Sequence, residues 1–109
     1  MDEKTDKNKN LTAGDERFAA GMRMLNRVDG DAGARVLDSL RDVCPELGYH
    51  IVAWGFGDIY SREGLRPRDR QLVTLGMLTA LGGCEPQLEV HVGAALNVGL
   101  SPKEIVEAI

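Results

Sequence analysis

RPRDRQLVTLGMLTALGGCEPQLEVHVGAALNVGLSPKEIVEAI, residues 66–109, decides the fold. Pro67 is placed to open a helix, where its missing N–H costs nothing. Leu72, Val73, Leu75, Met77, Leu78 and Leu81 follow, and Gly82-Gly83 stops the run. Pro86 opens the next helix, which carries Leu88, Val92, Ala95, Leu96 and Val98 and ends at Gly99. Ser101-Pro102-Lys103-Glu104 is a capping box with proline at the first helical position, which predicts one more helix. That last helix is short and marginal alone, so it needs packing from elsewhere.

Upstream, the same periodicity continues. From Thr12 to Val28, Phe18, Met22 and Leu25 recur at helical spacing, with Asp15 or Thr12 as the cap and Gly30 as the stop. A second helix opens near Asp31, with a stripe of Val36, Leu37, Leu40 and Val43. Pro45 begins a third, whose Leu47, Ile51, Val52, Trp54, Phe56 and Ile59 are apolar on more than one side, as in a helix buried against several partners. Gly55 and Gly57 permit a close helix approach or a break there. Ser61 to Gly64 reads as a turn. Nothing alternates as a strand would. The expected fold is all-α with about six helices, a single domain over residues 12–109 preceded by a flexible, highly charged tail over residues 1–11.

The composition narrows the function. A formal charge of −4 speaks against a nucleic-acid or anionic-membrane partner, which would want a basic face. No apolar run is long enough to span a bilayer. The opening MDEKTDKNKN has no apolar core of a secretory signal, so the expected setting is cytoplasmic and reducing. Cys44 and Cys84 are then expected as free thiols.

The polar residues of the C-terminal helices carry the candidate chemistry. Cys84 falls at the start of the fifth helix, where exposed N–H groups and the dipole favour a thiolate. A small residue that merely fits after two glycines explains it equally well. Cys84, Gln87 and His91 share a face, but seven residues span about 10 Å of helix axis. Cys84 and His91 therefore do not pair directly, whereas Gln87 and His91, at i and i+4, can. A lone histidine on such a face is more often structural than catalytic. Glu46 and His50 form another i, i+4 pair, but no third ligand has metal-site spacing, and no metal or other cofactor is expected. Glu85 and Glu89 read as solvated. Arg66, Arg68 and Arg70 crowd the start of the fourth helix against its dipole. That suits either a solvated basic rim or a site for a carboxylate substrate or acidic neighbour.

WGFGDIYSREGL, RDRQLVTLGMLTALGG and PQLEVHVGAALNVGLSPKEIVEAI, in that order, resemble the carboxymuconolactone decarboxylase family over roughly residues 33–109. The resemblance implies the all-helical fold shared with alkylhydroperoxidase D, and assembly as a homo-oligomer, commonly a trimer or hexamer. The peroxidase branch of that superfamily carries two cysteines two residues apart, then a histidine. Here Cys84 and His91 match that frame and Gln87 replaces the second cysteine, so no local disulfide can form. The acidic residue expected upstream is also missing, with Gln71 closest to its place. Both departures point to the decarboxylase-like branch, which acts on a small organic acid without a cofactor. For such a reaction His91 is the expected proton donor, because its ordinary pKa lies near neutrality, with Gln87 to orient it or donate to the lactone and an arginine among Arg66, Arg68 and Arg70 to hold a second substrate carboxylate. A thiol peroxidase built on Cys84 and a non-catalytic oligomeric binding module are the alternatives.

Overall fold

In the computed structural model, which describes residues 15–109, every element is helical. The tail over residues 1–11 and the Thr12 cap lie outside those residues. Helix α1 (Glu16–Asp29) starts where the Asp15 carboxylate accepts the N–H groups of Arg17 and Phe18 at 3.0 and 3.2 Å. It ends where Gly30, at φ +54°, donates to the Asn26 carbonyl. Such a φ suits glycine at a helix end. Its buried face is Gly21, Leu25 and Val28. Of the expected stripe, Leu25 is buried, whereas Phe18 and Met22 are only half-buried.

Helix α2 (Asp31–Leu40) turns back along α1, with Gly33 pressed against the Leu25 side chain. The expected stripe is only partly covered. Leu37 and Leu40 are half-buried, whereas Val36 and Val43 face out. A short α3 (Pro45–His50) runs straight into a π-helix over Ile51–Tyr60. Gly55 and Gly57 therefore do not break the third helix. They lie in a stretch wound wider than an α-helix, and Ser61 closes it by donating to the Phe56 carbonyl five residues back at 2.7 Å. A π-helix of ten residues is unusual, and such segments cluster at functional sites.

This π-helix is the main partner of α1. Their backbones approach closely at two glycines, one from each helix. A Cβ on Gly21 would fall 2.0 Å from the Val52 carbonyl oxygen, and one on Gly57 would fall 2.4 Å from that of Arg17. Val52 and Ala53 are fully buried in the contact. Arg17 grips Asp58 with two nitrogens, and Phe18 stacks on Tyr49 with centroids 5.8 Å apart.

Helices α4 (Pro67–Leu81), α5 (Glu85–Asn97) and α6 (Pro102–Ala108) form the second layer. Leu75, Ala95, Leu100 and Ile105 are its core, flanked by Leu72, Leu88, Val92 and Ala108. The short α6 is held as its sequence predicts. Ser101 and Glu104 exchange reciprocal bonds of 3.1 Å, and Ile105 packs into the core. The two layers join where α1 meets α5, tied by Asn97 Nδ2 donating to the Val28 carbonyl at 2.9 Å. Much apolar surface stays uncovered within one chain: Trp54 on the π-helix, and Val73, Met77 and Leu81 on α4.

Candidate active site

Gln71 is the only charged or polar residue fully buried among the described residues. It lies one turn into α4, one helical repeat before Leu75, so the face that builds the core carries the amide inward. His91 comes from the middle of α5 and Tyr60 is the last residue of the π-helix. The three meet in one chain of hydrogen bonds. His91 Nδ1 lies 3.0 Å from Gln71 Oε1, and Gln71 Nε2 donates to the Tyr60 hydroxyl at 2.5 Å.

The chemistry follows from the inventory of donors. With the amide in this orientation Gln71 Oε1 can only accept, so Nδ1 of His91 carries a proton. Nε2 is then the nitrogen left to give or take one. The Tyr60 oxygen is occupied as an acceptor, which leaves its own proton to be donated elsewhere. Burial pushes the Tyr60 hydroxyl above its ordinary pKa, only partly offset by the bond from Gln71, so it stays a neutral donor. The Arg70 guanidinium sits over the Tyr60 ring, 5.7 Å from its centroid.

The three arginines at the start of α4 divide. Arg66 is engaged with Asp69 at 2.9 Å, and Arg68 with Glu104 of α6. Arg70 has no carboxylate partner among the described residues, and its Nε is buried without a hydrogen bond. It lines a cavity of about 230 Å³ with Ile59, Tyr60, Leu65, Val73 and Met77. That cavity is apolar except for Arg70, Tyr60 and Thr74, and it meets the hydrogen-bond chain at Tyr60, while Gln71 and His91 lie outside its lining.

The structure places the other expected residues apart from this cluster. Gln87 is exposed on α5 and forms no side-chain hydrogen bond among the described residues, and His91 takes Gln71 from α4 as its partner rather than its own i−4 neighbour. The reason is that His91 points toward the core between α4 and α5, while Gln87, one turn earlier, faces out. Cys84 caps the start of α5, with its Sγ 3.4 Å from the Gly82 carbonyl. Cys44 lies beside Glu46, and both cysteines are free thiols. His50 and Glu46 are exposed, and no group of three metal-ligating side chains occurs among the described residues.

Asp29, in the last turn of α1, went unremarked in the sequence. Its Oδ1 is buried without a partner, and burial pushes its carboxyl above the usual range while the His91 charge draws it down. A polar residue beside a glycine stop reads as an ordinary helix end, so nothing marked it. Gln71 could have been flagged as a lone amide on the Leu75 face. Tyr60 could not, because an α-helical count places it on the wrong side of a π-helix.

Residues 45–109 match the model of the carboxymuconolactone decarboxylase family. The chain belongs to that family. Its Tyr60, Gln71, Arg70 and His91 all lie within the matched segment. Among its relatives, the 4-carboxymuconolactone decarboxylase of Acinetobacter baylyi is 32% identical over 96 residues, covering 87% of this chain and 71% of the relative. The nitrosuccinic acid decarboxylase of Metarhizium robertsii is 31% identical over 97 residues, covering 84% and 64%. An uncharacterized 15.0 kDa protein of Paracoccus denitrificans is 35% identical over 72 residues, covering 65% and 54%. The chain thus spans between about half and seven-tenths of these relatives. The family, the all-α architecture and the likeness to the alkylhydroperoxidase D superfamily expected from the sequence stand, and two of these relatives carry decarboxylase names.

Proposed function

We propose that this family member catalyses the cofactor-independent decarboxylation of 4-carboxymuconolactone or a related small organic acid, with His91 as the proton donor. The observation that carries the reading is the Tyr60–Gln71–His91 chain, centred on a buried amide, with an apolar cavity at its Tyr60 end that Arg70, a cation without a carboxylate partner among the described residues, also lines.

Each part has a task in that reaction. The bond between the scissile carboxylate and the ring carbon breaks, carbon dioxide leaves, and its electron pair delocalises through the unsaturated lactone onto the carbonyl oxygen. The Tyr60 hydroxyl, kept neutral by burial, donates its proton to that developing oxyanion. His91 then returns a proton from Nε2 to carbon, and Gln71 holds the imidazole by Nδ1, which leaves Nε2 as the nitrogen for that exchange. Arg70 pairs with a second substrate carboxylate. Ile59, Leu65, Val73 and Met77 give the carboxylate that is lost an apolar wall, and covering of the exposed Leu65, Val73 and Met77 by a second copy would keep water from it. Of the expected arginines, this reading retains Arg70 as the carboxylate holder, since Arg66 and Arg68 already serve ion pairs.

The purified protein should convert 4-carboxymuconolactone to the enol-lactone with release of carbon dioxide. His91→Ala should slow that conversion about 10²- to 10⁴-fold, the usual worth of a positioned general acid. An equal rate would remove His91 from the mechanism. Absence of conversion with this and related lactone acids would remove the reaction. The exposed apolar side chains of α4 also support a homo-oligomer that covers them.

A thiol peroxidase keeps one observation in its favour, the position of Cys84 at the start of α5. Peroxide consumption lost in Cys84→Ser would establish it, and an unchanged thiol count after mild peroxide would dismiss it.

A further inference from the structure

Tyr60 lines two hollows, and the proposed reaction uses only the one it shares with Arg70. The second is a groove of about 370 Å³ along α3 and the π-helix, bounded by Leu47, His50, Ile51, Trp54, Gly55 and Phe56 as well as Tyr60. Its lining holds no acid, lysine or arginine, and its polar groups are confined to His50 and Tyr60. Trp54 is 58% exposed and Leu47 48%, although both are large and apolar. Aromatic rings form much of the wall. Phe56 lies against Tyr60 with centroids 5.4 Å apart, and Arg70 sits over the same Tyr60 ring. Such walls favour a further ring, stacked or edge-on.

Gly55 keeps this groove open. Glycine inside a helix is unfavourable, and neither of its usual reasons applies here. A Cβ on Gly55 would meet nothing within 4 Å, and Gly55 is not among the residues of positive φ. What the missing side chain does provide is space between Trp54 and Phe56. The groove's volume falls in the range of small-molecule pockets, about 300–1,000 Å³. Its continuity with the Arg70 cavity through Tyr60 favours the same small molecule over a second copy of the chain, for which α4 offers the wider apolar face of Val73, Met77 and Leu81. We propose that this groove is a tail subsite, so that the site takes a carboxylic acid bearing an aryl or similarly apolar substituent, with its carboxylate on Arg70 and its ring against Trp54. The substrate class thus deepens the decarboxylase reading and rests on it for the reaction, whereas binding can be measured without turnover.

Trp54 is the only tryptophan of the chain, so its fluorescence reports on the groove directly. The full chain is titrated with phenylalkanoates from phenylacetate to 5-phenylpentanoate, each paired with the same acid lacking the ring, by fluorescence and calorimetry. The best phenyl acid should shift Trp54 emission and bind at least about tenfold tighter than its ringless partner. Gly55→Leu, which fills the groove, should abolish most of that gain and leave the ringless acids unchanged. Arg70→Gln should weaken both. No gain from the ring in any pair overturns the subsite, as does a gain that survives Gly55→Leu. A gain untouched by Arg70→Gln makes the groove a separate apolar site and is equally fatal. Gly55→Leu that dissociates an oligomer in light scattering, with the ring's gain intact, gives the groove to a second copy instead. Should Gly55→Leu fail to fold, Trp54→Ala followed by calorimetry should lose the same gain, and an intact gain overturns the subsite. Ring-dependent binding in a protein that decarboxylates nothing would retain the subsite and lose the reaction. Turnover of 4-carboxymuconolactone without ring-dependent binding would retain the reaction and lose the subsite.

Discussion

Gln71 shows how one buried amide can organise a site. It joins His91 to Tyr60, and both lose their partner if it becomes apolar. Gln71→Leu should therefore lower unfolding stability by about 1–3 kcal/mol, the cost of stranding buried polar groups, and should slow decarboxylation as well. A denaturation midpoint equal to wild type would show that His91 and Tyr60 find other partners. Asp29 has the opposite sign. Burial raises its folded pKa above the ordinary 3.8, so the native state holds that proton more tightly than the unfolded chain does. Its contribution is favourable at low pH and is lost as pH rises past 3.8 through the folded value. Asp29→Asn should accordingly raise Tm at neutral pH, read by calorimetry. A lower Tm would mean that the carboxylate is satisfied in the native state. His91 was legible as a candidate from its place in HVGAALNVG. Its partner was not, because spacing along one helix reveals only neighbours on that helix, and the actual partner comes from another.

Among the elements, capping and proline signals reported their helices faithfully. Pro67, Pro86 and the Ser101 box begin α4, α5 and α6 or sit in their first turn, and Gly30 and Gly82 end helices where expected. These signals satisfy local backbone groups, so a local sequence suffices to read them. The π-helix was not readable. Its apolar residues fit an α-helical count on several sides, and nothing in their local spacing marks the wider winding. The glycine contact there can be tested. Gly21→Ala places a Cβ 2.0 Å from the Val52 carbonyl oxygen, so the helices must separate, and a loss of about 1–3 kcal/mol is expected in urea unfolding. Gly64→Ala, in open space, should be neutral or slightly stabilising. Equal effects of the two would show that the α1 contact yields without cost.

For the whole molecule, two properties follow from its surface. Asp15, Asp58, Asp69 and Glu104 have carboxyls held below their usual values: Asp15 by the Tyr49 hydroxyl, Asp58 by Arg17, Asp69 by Arg66, and Glu104 by the Ser101 cap. Groups of this sign stabilise the fold above their ordinary values of 3.8 to 4.5 and lose that contribution as pH falls through the depressed ones. Tm should drop on acidification below that window, and the drop should be shallower in Asp58→Asn. The second property is extent. The molecule measures 54 × 30 × 20 Å, a long shape that leaves Val73, Met77 and Leu81 of α4 uncovered. Light scattering should find a homo-oligomer that Met77→Glu dissociates, and a monomeric wild type would leave those side chains for another partner. An all-helical chain, its helix ends and its family could be read from the amino acids alone, because periodicity, caps and an ordered motif are properties of neighbouring residues. The folded chain was needed to choose Gln71 over Gln87, to single out Arg70, to introduce Asp29 and Tyr60, and to turn the third helix into a π-helix. Those outcomes depend on which helix faces meet and how much water they exclude, and packing between distant segments sets both.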